Sequence, residues 1–496
     1  MRFSLIILLC CVAQLTIHSK NITIHGRAPG FTGKHVYLNK YSDYLSQAYE
    51  KLDNTIIDEN GNFQFNSKIG EITETFIQIQ DKSATLFLDP KTSDYFIYFP
   101  SEDQYDYYNG KTAQLILDSL SNNDINTLII DYESRLNHFL HVGPEDNNDD
   151  STWNLAKIIL SPEGLQVIDH FRKSCEKEYT DISEPFFKNY ITYSIAGYEQ
   201  YAGGIENLKN NKLSLFNKHI KNKPILYTNG NYMYFLFDFF ENPFDMLGRS
   251  SFVASEFIVN DFGSYTKLLA LLQLEYYYEN PQLAELIMIK GIMEEYHSGR
   301  YSKRNLTHIL DSTVLVSPFA ENKLLAQNLK HVLTRLEKGY TAPEFNLITT
   351  KFDTISLETF KQKYLYLDFF HTQSTPALAE KLLVPELKEK YGEYIEFVSI
   401  CLNENAEDLT HFLAQNPNYD WHFAHFNGDI ALLENYKVRT LPSYFLIGPQ
   451  GEMVDANALR PAPLSPGAEY TTIDRTFWAI KKKFEPENKF NIGIKN

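Results

Sequence analysis

The residues most able to do chemistry lie where the pattern of the chain changes abruptly, near residue 370. The run Tyr364–Phe370 is apolar and aromatic, as in a buried strand, and residues 377–391 have a helical pattern. Thr375 and Pro376 stand between them, with a hydroxyl side chain placed to cap the helix and proline at its first position. A helix that follows a strand so closely points its free N–H groups into the turn. The turn is therefore the first place to look for a reactive group.

Ser374 and His371 are the polar residues of this turn that could take part in hydrolysis. A serine hydroxyl becomes a nucleophile only when a base activates it, and that base needs a third group to orient it. The sequence provides no such group. It therefore favours a capped helix start over a hydrolytic nucleophile.

The same segment resembles the active-site strand and helix of the TlpA-type thioredoxin-like proteins. Their pattern is approximately Phe-Trp-Ala-x-Trp-Cys-x-x-Cys-x-x-Glu. The matching residues are the aromatic pair Phe369 and Phe370, the intervening proline Pro376 and the glutamate Glu380. Asp368 falls where thioredoxins carry a buried acid, which in an active relative assists proton transfer at the buried cysteine. The resemblance therefore implies a thioredoxin active-site frame.

Two more stretches support this resemblance. Residues 339–347 are similar to the family's Gly-x-x-Ala-Pro-x-Phe-x-Leu lead-in, and residues 436–451 are similar to its second signature. In that signature a cis-proline, here Pro442, opens a strand that faces the active-site turn. The resemblance implies an α/β thioredoxin fold over residues 339–485.

The family's usual activity is thiol–disulfide exchange, and this chain departs from the family at both cysteine positions. A first cysteine at the helix N-terminus supplies a thiolate, and a second resolves the mixed disulfide. Ser374 and Ala377 occupy these positions and can do neither. The resemblance thus implies a redox-inactive domain that binds a peptide or protein partner and needs no cofactor.

The expected binding groove consists of residues beside the former active site. In thioredoxin folds a bound peptide pairs, through its backbone, with the residue before the cis-proline, here Leu441. The predicted groove residues are Phe370, His371, Gln373, Leu441 and Pro442, with Ser374 beside them.

Two cysteines leave an alternative function open. Beyond the first 19 residues the chain contains only Cys175 and Cys401, so a thiol–disulfide oxidoreductase using one of them is the alternative. Cys175 is expected to be the more exposed, and the neighbouring Arg172 and Lys173 could favour its thiolate. Cys401, in an apolar strand, is expected to be a core residue. A third hypothesis is a structural role, with the rest of the chain carrying out recognition.

Two pairs of histidines are the nearest approach to a metal site. His138 and His141 are spaced i, i+3 on a predicted helix, and His422 and His425 follow Trp421. Neither pair has a matching carboxylate or cysteine set. No metal site is predicted.

The composition excludes some classes of partner. The 496-residue chain has 43% hydrophobic residues and a net charge of −17, which argues against nucleic acid and anionic membranes as main partners. Residues 1–19 resemble a secretory signal peptide, and no later stretch is long enough to span a bilayer. Cys10 and Cys11 do not fit a lipoprotein motif well. With the family resemblance, this implies export to the periplasm or cell envelope of a Gram-negative bacterium.

The chain is predicted to be a multidomain α+β protein. Residues 20–110 alternate apolar and polar side chains, as in a β-sandwich, with a hairpin at Asn60-Gly61. This segment also resembles a β-rich domain of unknown function that often precedes TlpA-type domains. Residues 111–338 predict an all-α domain, the thioredoxin-like domain occupies 339–485, and residues 486–496 form a polar tail.

The periodicity also predicts individual elements. Seven helices are expected in the middle of the chain, at residues 115–140, 155–179, 185–201, 213–220, 265–278, 282–297 and 320–336. In the last domain the expected strands are 364–370, 395–402 and 443–447, and the expected helices are 377–391, 407–415 and 472–483.

Overall fold

A computed structural model describes residues 19–100, 112–118, 120–142, 161–203, 208–274, 279–403, 405–463 and 471–485. The polar tail and all but the last residue of the predicted signal peptide lie outside these ranges. The chain divides into two compact units, residues 1–42, 49–78 and 82–239 in one and residues 43–48, 79–81 and 240–496 in the other. In the described ranges, no helix is long and apolar enough to cross a membrane. The protein is of the mixed α+β class, as predicted, and its division into three domains stays a prediction.

The N-terminal segment is β-rich, as predicted. Its strands are β1 (Lys20–Arg27), β2 (His35–Tyr41), β3 (Tyr49–Ile56), β4 (Asn62–Ile69), β5 (Thr73–Ile79), β6 (Lys82–Leu88), β7 (Asp94–Tyr98) and β8 (Ile116–Asp118). They form two four-stranded sheets, ordered β4-β1-β7-β8 and β3-β2-β5-β6. In β4 the buried residues Phe63 and Phe65 alternate with exposed polar ones, because successive strand residues point to opposite faces.

The predicted hairpin at Asn60-Gly61 is a turn between the two sheets. Asp58 Oδ1 accepts hydrogen bonds from the backbone N–H of Asn60 at 2.9 Å and of Asn62 at 2.8 Å, and Gly61 has a φ of +80°. The flanking strands do not form a two-stranded hairpin, since β3 pairs with β2 and β4 pairs with β1. The turn chemistry was predicted correctly, but the pairing was wrong.

Ten α-helices follow in the described residues. They are α1 (Ile125–His141), α2 (Gly164–Glu178), α3 (Pro185–Glu199), α4 (Leu208–Leu215), α5 (Gly230–Phe239), α6 (Arg249–Phe257), α7 (Tyr265–Gln273), α8 (Pro281–Glu295), α9 (Lys303–Val316) and α10 (Ala320–Thr334). The predictions missed α5, α6 and α9. They also began the first helix at Leu115, whereas residues 116–118 form β8, which pairs with β7, and α1 starts only after Asp124 caps it.

The last part of the chain forms a five-stranded sheet covered by helices. Its elements are β9 (Asn346–Ile348), β10 (Thr354–Ser356), β11 (Tyr364–Phe370), α11 (Thr375–Lys381), α12 (Val384–Tyr391), β12 (Ile395–Cys401), α13 (Ala406–Gln415), β13 (His422–His425), α14 (Ile430–Asn435), β14 (Ser443–Ile447), β15 (Met453–Asp455) and α15 (Asp474–Phe484). The sheet order is β13-β12-β11-β14-β15, with β9 and β10 in a separate pair.

This sheet is mixed, as predicted. Strands β11, β12 and β13 run parallel, and β14 runs antiparallel to β11. Alternate residues of β11 belong to two cores, with Leu365, Leu367 and Phe369 in one and Tyr366 and Phe370 in the other. The sheet is therefore apolar on both faces.

The helix predicted over residues 377–391 is two helices, α11 and α12. Pro385 lies in the first turn of α12, and proline cannot donate the hydrogen bond that would continue a helix through it. The helical pattern is therefore interrupted at Leu382 and Leu383, and α11 is a short element of seven residues.

Asn126 joins α1 to the outer edge of β6. Its side-chain Oδ1 accepts a hydrogen bond from the N–H of Phe87, and its Nδ2 donates one to the carbonyl oxygen of Phe87, both at 2.8 Å. The amide thus takes the place of a neighbouring strand at a buried position. Without it, two buried backbone groups would lose their partners.

We expect Asn126→Ala to lower the free energy of unfolding by about 2–4 kcal/mol, because each unsatisfied buried group costs about 1–3 kcal/mol. Asn137→Ala is the matched control, since Asn137 is exposed on the same helix and its loss should cost under about 0.5 kcal/mol. Urea unfolding followed by circular dichroism measures both. Equal midpoints for the two variants would contradict the structural role of Asn126.

Candidate functional site

The predicted turn and the predicted cis-proline loop lie at the same end of the sheet. Phe369 pairs with Ser443 across the antiparallel strands β11 and β14. Continuing this register by one residue brings the end of β11 opposite Pro442. The Leu441–Pro442 peptide bond is cis. The sheet therefore brings the two segments together where the resemblance requires it.

The buried residue Asn403 holds the turn in place, and the sequence analysis missed it. Thr372 donates its backbone N–H to Asn403 Oδ1 at 2.9 Å, and Asn403 Nδ2 donates to the Thr372 hydroxyl at 2.7 Å. The next backbone N–H, that of Gln373, donates to Nδ1 of His371 at 3.2 Å. This nitrogen is therefore occupied by the turn itself and is not free to activate Ser374.

The helix after the turn starts one residue earlier than predicted. Ser374 is the N-cap residue and Thr375 is the first helical residue, so Pro376 takes the second position. The Ser374 side chain makes no capping hydrogen bond, while its carbonyl oxygen accepts the N–H of Leu378 at 3.0 Å. The prediction that Thr375 caps the helix was wrong, because Thr375 already has helical geometry.

Asp368, the predicted buried acid, is paired with a buried lysine. Lys381 Nζ lies 2.8 Å from Asp368 Oδ2 and donates a second hydrogen bond to the Ser399 hydroxyl at 2.9 Å. Ser399 in turn donates to Asp368 Oδ1, and the Trp421 indole N–H donates to Ser399 at 2.9 Å. The side chains of Lys381 and Asp368 are only 2% and 8% exposed. This is a closed network in which each charge has several partners.

Aromatic rings surround the lysine. The Lys381 ammonium lies 3.8 Å from the centre of the Phe370 ring and 5.5 Å from that of Phe423. Burial lowers the pKa of Lys381, and the attraction of Asp368 opposes this shift. The sequence analysis missed Lys381. Its position four residues after Ala377 puts the two on one helix face, but its partners Asp368 and Ser399 are 13 and 18 residues away along the chain.

A second ion pair, between the buried Glu380 and the half-buried Arg460, holds the same helix. Arg460 Nε lies 2.8 Å from Glu380 Oε1, and the Tyr444 hydroxyl donates to Glu380 Oε2. Burial raises the pKa of Glu380, while Tyr444 and Arg460 act in the opposite direction. Each carboxylate oxygen of Glu380 thus has its own partner, and together they connect α11 to Arg460 and to Tyr444 of β14.

Both remaining thiols are buried. Burial raises the pKa of Cys175 to about 12 and that of Cys401 to about 11. The Cys401 thiol also donates to Asn403 Oδ1 at 3.1 Å. The expectation that Cys175 is exposed was wrong, since it belongs to the apolar core between α1, α2 and α3.

The predicted groove residues differ in exposure. Gln373 is exposed, and His371, Ser374, Leu441 and Pro442 are half-buried. Phe370 is fully buried, because its ring packs against Lys381 and against the rings of α13 and β13, and so it does not line an open groove. Ala377 is also buried.

The two histidine pairs occupy different elements, one on α1 and the other on β13. His138 and His141 are exposed on α1. His425 is buried, with Nε2 at 2.7 Å from the carbonyl oxygen of Asn403 and Nδ1 at 2.8 Å from Asn427 Oδ1. One ring nitrogen thus contacts the loop after β12, and the other contacts the loop after β13. In the described part of the chain, no cluster of three or more His, Cys, Asp or Glu could hold a metal ion.

With this geometry described, the chain can be compared with known proteins. Residues 22–119 match the DUF4369 family, a domain of unknown function. A thiol-disulfide oxidoreductase ResA from Bacillus thuringiensis subsp. konkukian is 29% identical over 122 residues, which are 24% of this chain and 69% of the relative. Part of the chain is thus similar to thioredoxin-like thiol-disulfide oxidoreductases.

Solved structures give matches of the same extent. One is a putative thiol-disulfide oxidoreductase from Bacteroides vulgatus, with a TM-score of 0.25 and 26% identity over 27% of this chain and 94% of that one. Another is a putative thiol:disulfide interchange protein DsbE from Chlorobium tepidum, with a TM-score of 0.26 and 24% identity over 29% of this chain and 98% of that one. Each match spans under a third of the chain.

The network around Lys381 predicts a large effect of removing the ammonium. We expect Lys381→Met to lower the free energy of unfolding by about 3–5 kcal/mol at pH 7, because Asp368 is left buried and charged without its partner. The double variant Asp368→Asn/Lys381→Met should recover at least half of this loss, since no unpaired charge remains.

Lys390→Met is the matched control, because Lys390 is 49% exposed and pairs with Glu386 on the surface, where such pairs contribute under about 1 kcal/mol. Denaturant unfolding of the three variants and the wild type gives the comparison. If Lys381→Met is as stable as the Lys390→Met control, the network does not have the stabilising role described here.

Proposed function

We propose that this is a redox-inactive, thioredoxin-like protein of the cell envelope that binds an extended peptide or a protein partner at its degenerate active-site face. The observation that carries the proposal is the absence of a usable thiol at the turn. Ser374 and Ala377 take the two cysteine positions, and the two cysteines in the described residues, Cys175 and Cys401, are buried. Export to the periplasm and the three-domain arrangement are part of the same proposal.

The chemistry of the remaining thiols supports this choice over the alternative of an oxidoreductase. The thiolate is the reactive form of cysteine. With a pKa of about 11, Cys401 is about one part in a thousand thiolate at pH 8, and its sulfur is enclosed by the sheet. Cys175 has the higher pKa. Neither cysteine has the exposed, electropositive surroundings of a catalytic thiol.

The contacts around the proposed binding face support this choice. The buried Asp368–Lys381 pair, the half-buried Glu380–Arg460 pair and the Asn403 hydrogen bonds hold the turn and helix α11. Leu441 and Pro442 are half-buried just before β14, where a peptide backbone could pair with residue 441 by strand addition. A preformed groove of this kind lowers the entropic cost of binding.

We expect the mature protein not to accelerate the reduction of insulin by dithiothreitol, and Ser374→Cys/Ala377→Cys to do so. The Cα atoms of residues three apart in a helical turn are about 5 Å apart, which is within the Cα range of a disulfide, and the helix N-terminus favours a thiolate. The single variant Ser374→Cys is the control and should stay near the blank. Activity in the wild type that is lost in Cys175→Ser/Cys401→Ser would show that a buried thiol is catalytic and would overturn the proposal.

Binding is tested with a reduced, carboxymethylated polypeptide such as α-lactalbumin as an extended-chain probe. We expect the wild type to bind it and Leu441→Arg to bind at least tenfold more weakly, because the arginine fills the groove beside Pro442. Leu382→Arg is the matched control, since Leu382 is 69% exposed and lies outside the groove. Equal binding by Leu441→Arg and the wild type, or no binding by the wild type, would contradict the proposed site.

A further inference from the structure

The outward face of the sheet β4-β1-β7-β8 carries an open groove that the peptide site does not use. Its volume is about 830 Å³, within the range of roughly 300–1,000 Å³ found for ligand pockets. All four strands of the sheet line it, together with the end of β3. Three of its lining residues are large apolar side chains that stay about half exposed: Ile56, Phe96 and Ile116. An exposed apolar cluster with a polar rim is typical of an interaction site.

Strand pairing sets the outward side chains in two rows across the sheet. In strand order the rows are Gln64, His25, Phe96 and Asp118, and Asn62, Arg27, Tyr98 and Ile116. With three gaps of about 4.8 Å between strands, each row is about 14 Å long. A ligand in this groove lies across the strands and is recognised by side chains. An added peptide strand would instead run along a sheet edge.

Phe96 provides an open aromatic surface within the groove. One face of its ring stacks on the His25 imidazole, with centroids 4.8 Å apart and planes at 13°, and His25 is itself held by Asp94 at 3.4 Å. The other face points toward β8, the next strand of the sheet, and the side chain is 48% exposed. The electron-rich face of such a ring attracts weakly positive C–H groups.

Hydrogen-bond donors and acceptors surround the Phe96 ring. The amides of Asn62 and Gln64 can both donate and accept, Arg27 only donates, and the Asp58 carboxylate only accepts. Charges of both signs line the groove, so it favours no strongly charged ligand. The matching ligand has an apolar C–H face, a rim of hydroxyls that donate and accept, and no net charge. This is the chemistry of a neutral sugar.

We propose that this sheet face binds a neutral oligosaccharide laid across its four strands, with one sugar ring against the free face of Phe96. The site is separate from the proposed peptide groove and involves none of its residues. Failure of either proposal therefore leaves the other unaffected.

The test uses the mature full-length chain in native gels that contain a soluble neutral polysaccharide. Starch, xylan, galactomannan and mixed-linkage β-glucan are run separately, and calorimetry with the matching hexaose gives the affinity. We expect at least one polysaccharide to retard the wild type. Phe96→Ala and Gln64→Ala should each weaken binding at least tenfold. Phe262→Ala is the control and should bind as the wild type does, because Phe262 is a comparably exposed ring outside the groove.

Thermal unfolding of each variant shows whether the fold is intact, and exposed side chains such as Phe96 can be replaced without opening the core. No retardation by any of the four polysaccharides would overturn the proposal, as would full binding by Phe96→Ala. Concentration-dependent self-association that Phe96→Ala abolishes, measured by sedimentation in the absence of sugar, would identify the face as an interface between copies of the chain and would equally overturn it.

Discussion

The C-terminal site depends on keeping the charge of Lys381 paired at a buried position. An isolated buried ammonium is costly, and so is an isolated carboxylate. Several groups offset this cost together. Asp368 and Lys381 neutralise each other, Ser399 hydrogen-bonds to both, and the aromatic rings surround the ammonium. The network draws on β11, β12 and α11, and Trp421 extends it to the start of β13. The position of the helix therefore follows from electrostatics as well as from apolar packing.

This arrangement shows how the turn and helix α11 are held in place without a redox pair. Asn403 hydrogen-bonds to the turn at Thr372. Glu380 and Lys381 tie the helix to strands β14, β11 and β12. The shape of this part of the surface therefore depends on contacts in the core beneath it.

The sequence predicted the strands of the C-terminal sheet better than the buried polar residues that hold the site. Strands β11 and β14 were predicted with their observed bounds, because uninterrupted apolar runs between turn residues are a strong signal. The hairpin at Asn60-Gly61 failed because local turn chemistry does not determine which strands pair. Lys381 and Asn403 were missed because a buried polar residue is recognised only by its distant partners, and these are brought near by the fold. Phe370 was placed on the surface by analogy, although its position in β11 alternates with Leu367 and Phe369 and so faces the second core.

The pairing of Asp368 with Lys381 also bears on any attempt to engineer redox chemistry at this turn. Both carboxylate oxygens of Asp368 are already used, one by the Lys381 ammonium at 2.8 Å and the other by the Ser399 hydroxyl. Cysteines introduced at positions 374 and 377 would therefore have no free buried acid behind them to exchange a proton. Freeing Asp368 would require replacing Lys381 as well, and that change leaves a buried charge without its partner. A disulfide is thus easier to introduce here than a fast catalyst.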